Sequence, residues 1–101
     1  DNGGLPGTRL GVTSSVQLSG TECWQTVNLT SPVAVTTGQQ VWLAWVFENN
    51  PGIRYVAGTT PRANSPDTYI HSMPDVFGPS TLANYDYSIY LIFRTHNLLG
   101  L

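Results

Sequence analysis

Two segments of the chain, Val41-Trp-Leu-Ala-Trp-Val-Phe47 and Tyr87-Ser-Ile-Tyr-Leu-Ile-Phe93, are apolar at nearly every position. Both are rich in β-branched and aromatic side chains, and each is apolar on both of its alternating faces. That pattern reads as central strands covered on two sides. The rest of the chain offers almost no helix signal. Glu, Lys, Ala, Met and Gln are too sparse to fill a solvent-facing helix, and Gly or Pro interrupts most windows.

Further short strands are predicted at Thr8–Thr13, Gln25–Leu29, Val33–Val35, Ile53–Ala57 and Thr68–His71, and the last apolar run is extended to Tyr87–Thr95. Turn chemistry separates them. Asn49-Asn50-Pro51-Gly52 sets Pro and Gly where a tight turn needs them, and Gly3-Gly4-Leu5-Pro6-Gly7 and Thr36-Thr37-Gly38 read as turns too. Asp1-Asn2-Gly3-Gly4 resembles the end of a hairpin, which implies a first strand upstream or a segment trimmed close to the fold. Residues Gly58–Pro79 hold four prolines and little periodicity, and are expected to form a long structured loop of the kind that often carries function. Many short strands with turns between them predict an all-β antiparallel sandwich, jelly-roll-like, formed as one domain by residues 1–101 with 97–101 as linker.

Composition removes several functional classes. Charged residues are 10% of the 101 positions, net charge is -2, and the four basic residues are Arg9, Arg54, Arg62 and Arg94, with no lysine. The basic footprint of a nucleic-acid binder is therefore missing. No apolar run approaches the roughly 18 residues of a bilayer span, and none reads as a surface-attached amphipathic helix. Solubilisation by hydroxyls and amides suits a secreted, extracellular protein. Cys23 is the one cysteine, so an intrachain disulfide and a cysteine-rich zinc site are both excluded, and the thiol is expected to be a small buried apolar group.

Catalytic patterns are weak. There is no Gly-x-Ser-x-Gly elbow, and His71 and His96 read as solvent-facing strand residues. Among the acids, Glu48 and Asp86 are the only suggestive glycosidase pair. A chain of this size rarely supplies a cleft and its supporting shell, so no catalysis is expected. The glycines match no phosphate-binding pattern, and no organic cofactor is expected. A structural calcium could be held by Asp67, Asp75 and Asp86 with nearby carbonyls. Asn28-Leu29-Thr30 fits the glycosylation triplet, but within a predicted strand.

Three Trp and five Tyr exceed what a sandwich interior about 10 Å thick can hold. Alternation along the first apolar run sends Val41, Leu43, Trp45 and Phe47 to the core and leaves Trp42 facing outward or into a groove, beside small Ala44. Exposed flat rings among amides and carboxylates are what a sugar-binding surface needs. The apolar C–H face of a pyranose stacks on the ring, and directional polar groups select hydroxyls. The candidate rings are Trp24, Trp42, Tyr55, Tyr69, Tyr85 and Tyr90. The candidate polar partners are Gln25, Asn49, Asn50, Arg54, Asn84 and Asp86.

The segments Asn2-Gly-Gly-x-Pro-Gly7, Trp24-Gln-Thr-Val-Asn-Leu29, Val41-Trp-Leu-Ala-Trp45 and Ser88-Ile-Tyr90 resemble β-sandwich modules of secreted bacterial carbohydrate-active enzymes. Within that set the chain is most similar to the environmental, β-glucan-binding carbohydrate-binding module family eighty-one. The resemblance implies a non-catalytic module that holds single β-1,4-linked chains (β-glucan, cellulose or xyloglucan) in a groove and keeps an attached glycoside hydrolase on plant cell wall. It transfers no binding residue, so the site above rests on the aromatic reasoning. The expected partners are thus a β-linked polysaccharide or oligosaccharide and an attached catalytic domain, without nucleic acid or membrane. The competing expectation is a structural or adhesion module of a bacterial surface protein, which an extensive exposed apolar surface would favour.

Overall fold

The computed structural model describes residues 1–69 and 72–94, so the expectations for His71, Thr95, His96 and the 97–101 linker lie outside the described residues. Two strands, β1 (Tyr55–Asn64) and β2 (Thr81–Tyr87), pair antiparallel, and the described residues contain no helix. The chain is thus sheet-like.

The register places Tyr55 opposite Tyr87 and Ala57 opposite Tyr85, then resumes at Pro61 opposite Asn84 and runs on to Asn64 opposite Thr81. Gly58, Thr59 and Thr60 are extra residues on β1 and form a bulge. Pro61 ends it, at a position where a missing N–H is tolerated. The Asp86 carboxylate closes the bulge by accepting the Thr60 N–H at 3.3 Å.

Strand alternation collects Tyr55, Ala57 and Arg62 with Ala83, Tyr85 and Tyr87 on one face, and Val56, Leu82, Asn84 and Asp86 on the other. The first face is aromatic. Tyr55 lies 5.3 Å from both Tyr85 and Tyr87, the Arg62 guanidinium sits 5.3 Å over the Tyr85 ring, and Trp45 meets Tyr87 edge-on at 5.0 Å. Such ring pairs contribute about 0.5–1.5 kcal/mol each beyond their buried area. Trp45 therefore draws the 41–47 segment onto this face.

Isolated bridges tie down the remainder. Thr8 pairs with Val76, flanked by Arg9 N–H to Asp75 O at 2.8 Å and by the Arg9–Asp75 ion pair at 2.7 Å, while the Arg9 guanidinium also donates to the Met73 carbonyl. Thr13 pairs with Leu29, and the backbone N–H and hydroxyl of Thr30 both donate to Val12 O. The expected turns are present. Gly3 (φ 62°) and Gly4 (φ 90°) close a two-residue turn between Asn2 and Leu5, the left-handed geometry that glycine adopts without steric cost. Thr36–Gln39 closes by a 3.1 Å backbone bond with Gly38 at φ 84°.

Several expectations are corrected. The 58–79 stretch is not one loop, because Gly58–Asn64 belongs to β1; β-branched Thr59 and Thr60 and the open edge that suits Pro61 override the proline signal. The last predicted strand is displaced: β2 ends at Tyr87, where that strand was to begin, and the Ile89 N–H folds back onto Tyr87 O. Val41–Phe47, Gln25–Leu29 and Val33–Val35 form no ladder beyond the single Leu29 bridge, and neither do Thr68 and Tyr69. Cys23 is exposed, since its segment has no layer above it.

No side chain among the described residues is fully buried. The chain exposes 8604 Å², against about 5,600 Å² for a folded monomer of 11.0 kDa. Its radius of gyration is 15.0 Å, where about 13 Å is usual at this length. Of the expected core row, Trp45 and Phe47 are half-buried while Val41 and Leu43 are each 37% exposed.

The bulge makes a direct stability prediction. A Cβ on Gly58 would run into the Asp86 carboxylate, and moving that group breaks its bond to Thr60. Gly58→Ala is expected to lower stability by about 1 kcal/mol, read as a lower urea midpoint. An unchanged midpoint would show that the Asp86 closure contributes nothing.

Candidate functional site

Trp24 is the most open of the candidate rings, at 66% exposure. It meets Tyr90 edge-on, with centroids 5.0 Å apart, and the Tyr90 hydroxyl is hydrogen-bonded to the Thr26 hydroxyl. Trp24 and Thr26 are two residues apart, the spacing that puts neighbours of an extended segment on one side. Tyr90 arrives at the same corner because the Ser88 N–H donates to Arg54 O at 2.9 Å, fastening the chain after β2 beside the start of β1.

That fastening also positions Arg54. Its guanidinium grips Glu22 through both carboxylate oxygens, with Nε at 3.0 Å and Nη2 at 2.5 Å. Two parallel N–H to oxygen bonds fix the plane of both groups. The pair is open to solvent, each side chain 72% exposed. The hydrogen bond from Arg54 and then its charge hold the Glu22 carboxyl below the ordinary glutamate range, and the same contacts raise Arg54. Glu22 precedes Trp24 by two residues. The corner thus carries an accessible indole in T-shaped contact with a phenol, and an oriented guanidinium–carboxylate pair attached to the same two segments. A sugar ring can stack on the indole while its hydroxyls meet donors and acceptors held in fixed directions.

The other sequence candidates are distributed elsewhere. Tyr55 and Tyr85 belong to the β1–β2 ring stack, where Tyr85 is half-buried beneath Arg62. Asn84 and Asp86 lie on the opposite face of that sheet, and Asp86 is engaged with Thr60. Trp42 is half-buried and donates its indole N–H to Asp1 Oδ1 at 2.8 Å, so its polar edge is engaged within the chain. Tyr69 is half-buried, its hydroxyl 3.2 Å from Ser15 Oγ. Gln25 uses both ends of its amide on the 17–25 loop, accepting from Ser19 N–H and donating to Gln17 O, each at 3.1 Å. Asn50 accepts the Gly52 N–H at 3.1 Å and shapes the turn, with Asn49 exposed beside it. Of the twelve candidates, the structure unites Trp24, Tyr90 and Arg54.

Glu22 and Thr26 complete the corner and were missed. Their signal in the sequence was the two-residue spacing of Glu22 and Thr26 from Trp24. The proposed calcium ligands do not converge: Asp75 pairs with Arg9, Asp86 with the bulge, and no group of three acidic, His or Cys side chains meets among the described residues. Two shallow clefts, of about 330 Å³ beside Pro66, Pro79 and Ser80 and about 440 Å³ beside Asn2, Thr8 and Leu10, are lined by no aromatic ring.

No protein-family model, curated protein or solved structure matches the chain.

The ion pair predicts a pH effect of definite sign. Because folding depresses the Glu22 pKa, the contribution of the pair is complete above the unfolded glutamate value and is lost as pH falls through the lower folded one. Carboxyl NMR titration should find the Glu22 midpoint below the ordinary value, returning to it in Arg54→Met. High salt should also diminish the shift, since both groups are exposed. A Glu22 midpoint in the ordinary range in the unsubstituted protein would contradict the pairing.

Proposed function

We propose that the chain is a non-catalytic carbohydrate-binding module for β-1,4-linked polysaccharide. The observation that carries this reading is the exposed Trp24 ring, edge-on to Tyr90 and beside the bidentate Arg54–Glu22 pair. The ring takes the C–H face of a pyranose. The guanidinium donates to hydroxyl oxygens, and the carboxylate accepts from hydroxyl hydrogens. By analogy with base stacking, a contact of this kind contributes about 1–3 kcal/mol. Affinity is accordingly modest, and salt alters it little because the ligand is neutral. The module is secreted, and it holds an attached glycoside hydrolase on plant cell wall. Its architecture is a jelly-roll-like sandwich in which β1 and β2 form part of one layer, a reading supported by the two-faced apolar character of residues 41–47 and 87–93.

A second reading, a structural or adhesion module of a surface protein, is favoured by a different observation: large apolar side chains are exposed along much of the chain, from Leu5 to Phe93. It requires no glycan.

Native affinity electrophoresis against soluble β-glucans, xyloglucan and mannan separates the two. The unsubstituted chain should be retarded by a β-1,4-linked glucan, equally at low and high salt. Trp24→Ala should lose most of that retardation, a tenfold or greater fall in affinity for a stacking ring worth about 1.4 kcal/mol or more. Trp42→Ala should keep it. Absence of retardation by any glycan, in a chain verified as folded, would leave the adhesion reading standing.

A further inference from the structure

The exposed apolar surface has its longest uninterrupted stretch directly after the Ser88 fastening. Ile89, Tyr90, Leu91, Ile92 and Phe93 are 37, 44, 43, 68 and 71% exposed. They form no ladder among the described residues. Five consecutive β-formers without a charge, lying outside any ladder with only the Ile89 N–H bonded back to Tyr87 O, are a segment of the kind that recruits another strand. The surface the chain leaves uncovered exceeds that of a folded monomer of its mass by about 3,000 Å². A permanent homodimer removes about 1,000–2,500 Å² or more from each subunit, the same order as this excess.

We propose that a second copy of this chain covers this stretch, the two Ile89–Phe93 segments pairing antiparallel about a two-fold axis at Leu91. Three features make the occupant a like copy. The segment carries no charge and the whole chain only -2, so two copies meet without like-charge repulsion. A two-fold pairing is self-complementary and closes after two subunits. The register centred on Leu91 opposes only apolar or aromatic residues: Leu91 meets the partner's Leu91, Ile89 meets the partner's Phe93, and Tyr90 meets the partner's Ile92. If the Trp24 corner binds glycan as proposed above, the Tyr90 pairing brings two such corners to one joint sheet, so a single polysaccharide chain could engage both and gain avidity. The dimer itself does not depend on that reading.

Light scattering coupled to size exclusion tests the assembly, and cysteine trapping tests its register. The chain should elute with the mass of two copies, and its melting temperature should rise with concentration. In a Cys23→Ser background, Leu91→Cys should oxidise to a covalent dimer, since opposed Cα atoms lie about 4.5–5.5 Å apart. Phe93→Cys should not, because its own copy is four residues, about 13 Å, further along the partner strand. Leu91→Lys sets two ammonium groups face to face and should shift the mass to that of one chain. A folded monomer overturns the proposal, and so does an unfolded monomer, which would assign the covering layer to other polypeptide. Open-ended multimers overturn it too, as does a dimer that crosslinks through position 93 or resists crosslinking at 91. Failure of glycan binding leaves each of these outcomes unchanged.

Discussion

The β1–β2 ladder is what the described structure hangs on. Seven paired positions hold Tyr55–Asn64 against Thr81–Tyr87, and the bulge at Gly58–Thr60 keeps both ends of that register consistent. The ladder sets the tyrosines of the aromatic face side by side, and Trp45 then brings the 41–47 segment against Tyr87. It also fixes where the chain goes next. Tyr87 stands opposite Tyr55, so Ser88 falls beside Arg54 and Tyr90 reaches Trp24. A two-stranded ribbon is only marginally stable in water by itself. With no fully buried side chain among the described residues, the ring stack carries an unusual share of the packing, and the apolar surface left over demands a covering layer.

The ladder also divides the aromatic residues by role. Tyr55, Tyr85 and Tyr87 spend their faces on one another, and Arg62 covers Tyr85. Trp42 and Tyr69 have their polar atoms engaged within the chain. Trp24 is the most exposed of the candidate rings, 66% open with a T-shaped neighbour in Tyr90. An indole held that way is oriented yet remains largely open to solvent, which stacking on a flat apolar ligand needs. The Arg54–Glu22 pair adds direction without a deep pocket, which suits an extended polymer better than a small molecule.

What the sequence disclosed followed from local chemistry. The turns at Gly3–Gly4, Gly38 and Asn50–Gly52 were legible because each depends on a residue type at one position. The β character was legible from side-chain branching. Pairing was less so: Gly58–Asn64 read as loop because Pro61 weighs against a strand, and only the partner strand and its bulge reveal that the proline occupies a tolerated place. The same limit applied to the site. Gln25, Asn84 and Asp86 have the right chemistry for hydroxyls, but Gln25 is engaged by the 17–25 loop, and the face that Asn84 takes and the bond of Asp86 to Thr60 depend on register. Trp24, Tyr90 and Arg54 were identifiable as types, whereas their meeting depends on the Ser88–Arg54 hydrogen bond, a contact between segments more than thirty residues apart. Glu22 could have been read from its two-residue spacing to Trp24.

Whether the Trp24 corner is a ligand surface can be read directly from its own resonances. The direct measurement is a ¹H–¹⁵N titration with a β-1,4-linked gluco-oligosaccharide, following the three indole N–H signals. The Trp24 signal should move and saturate along with the backbone amides of Glu22, Thr26 and Tyr90, while the Trp42 and Trp45 signals stay in place. Movement confined to Trp42 or Trp45, or none at a ligand concentration that saturates modest binders, would contradict a ligand surface at Trp24.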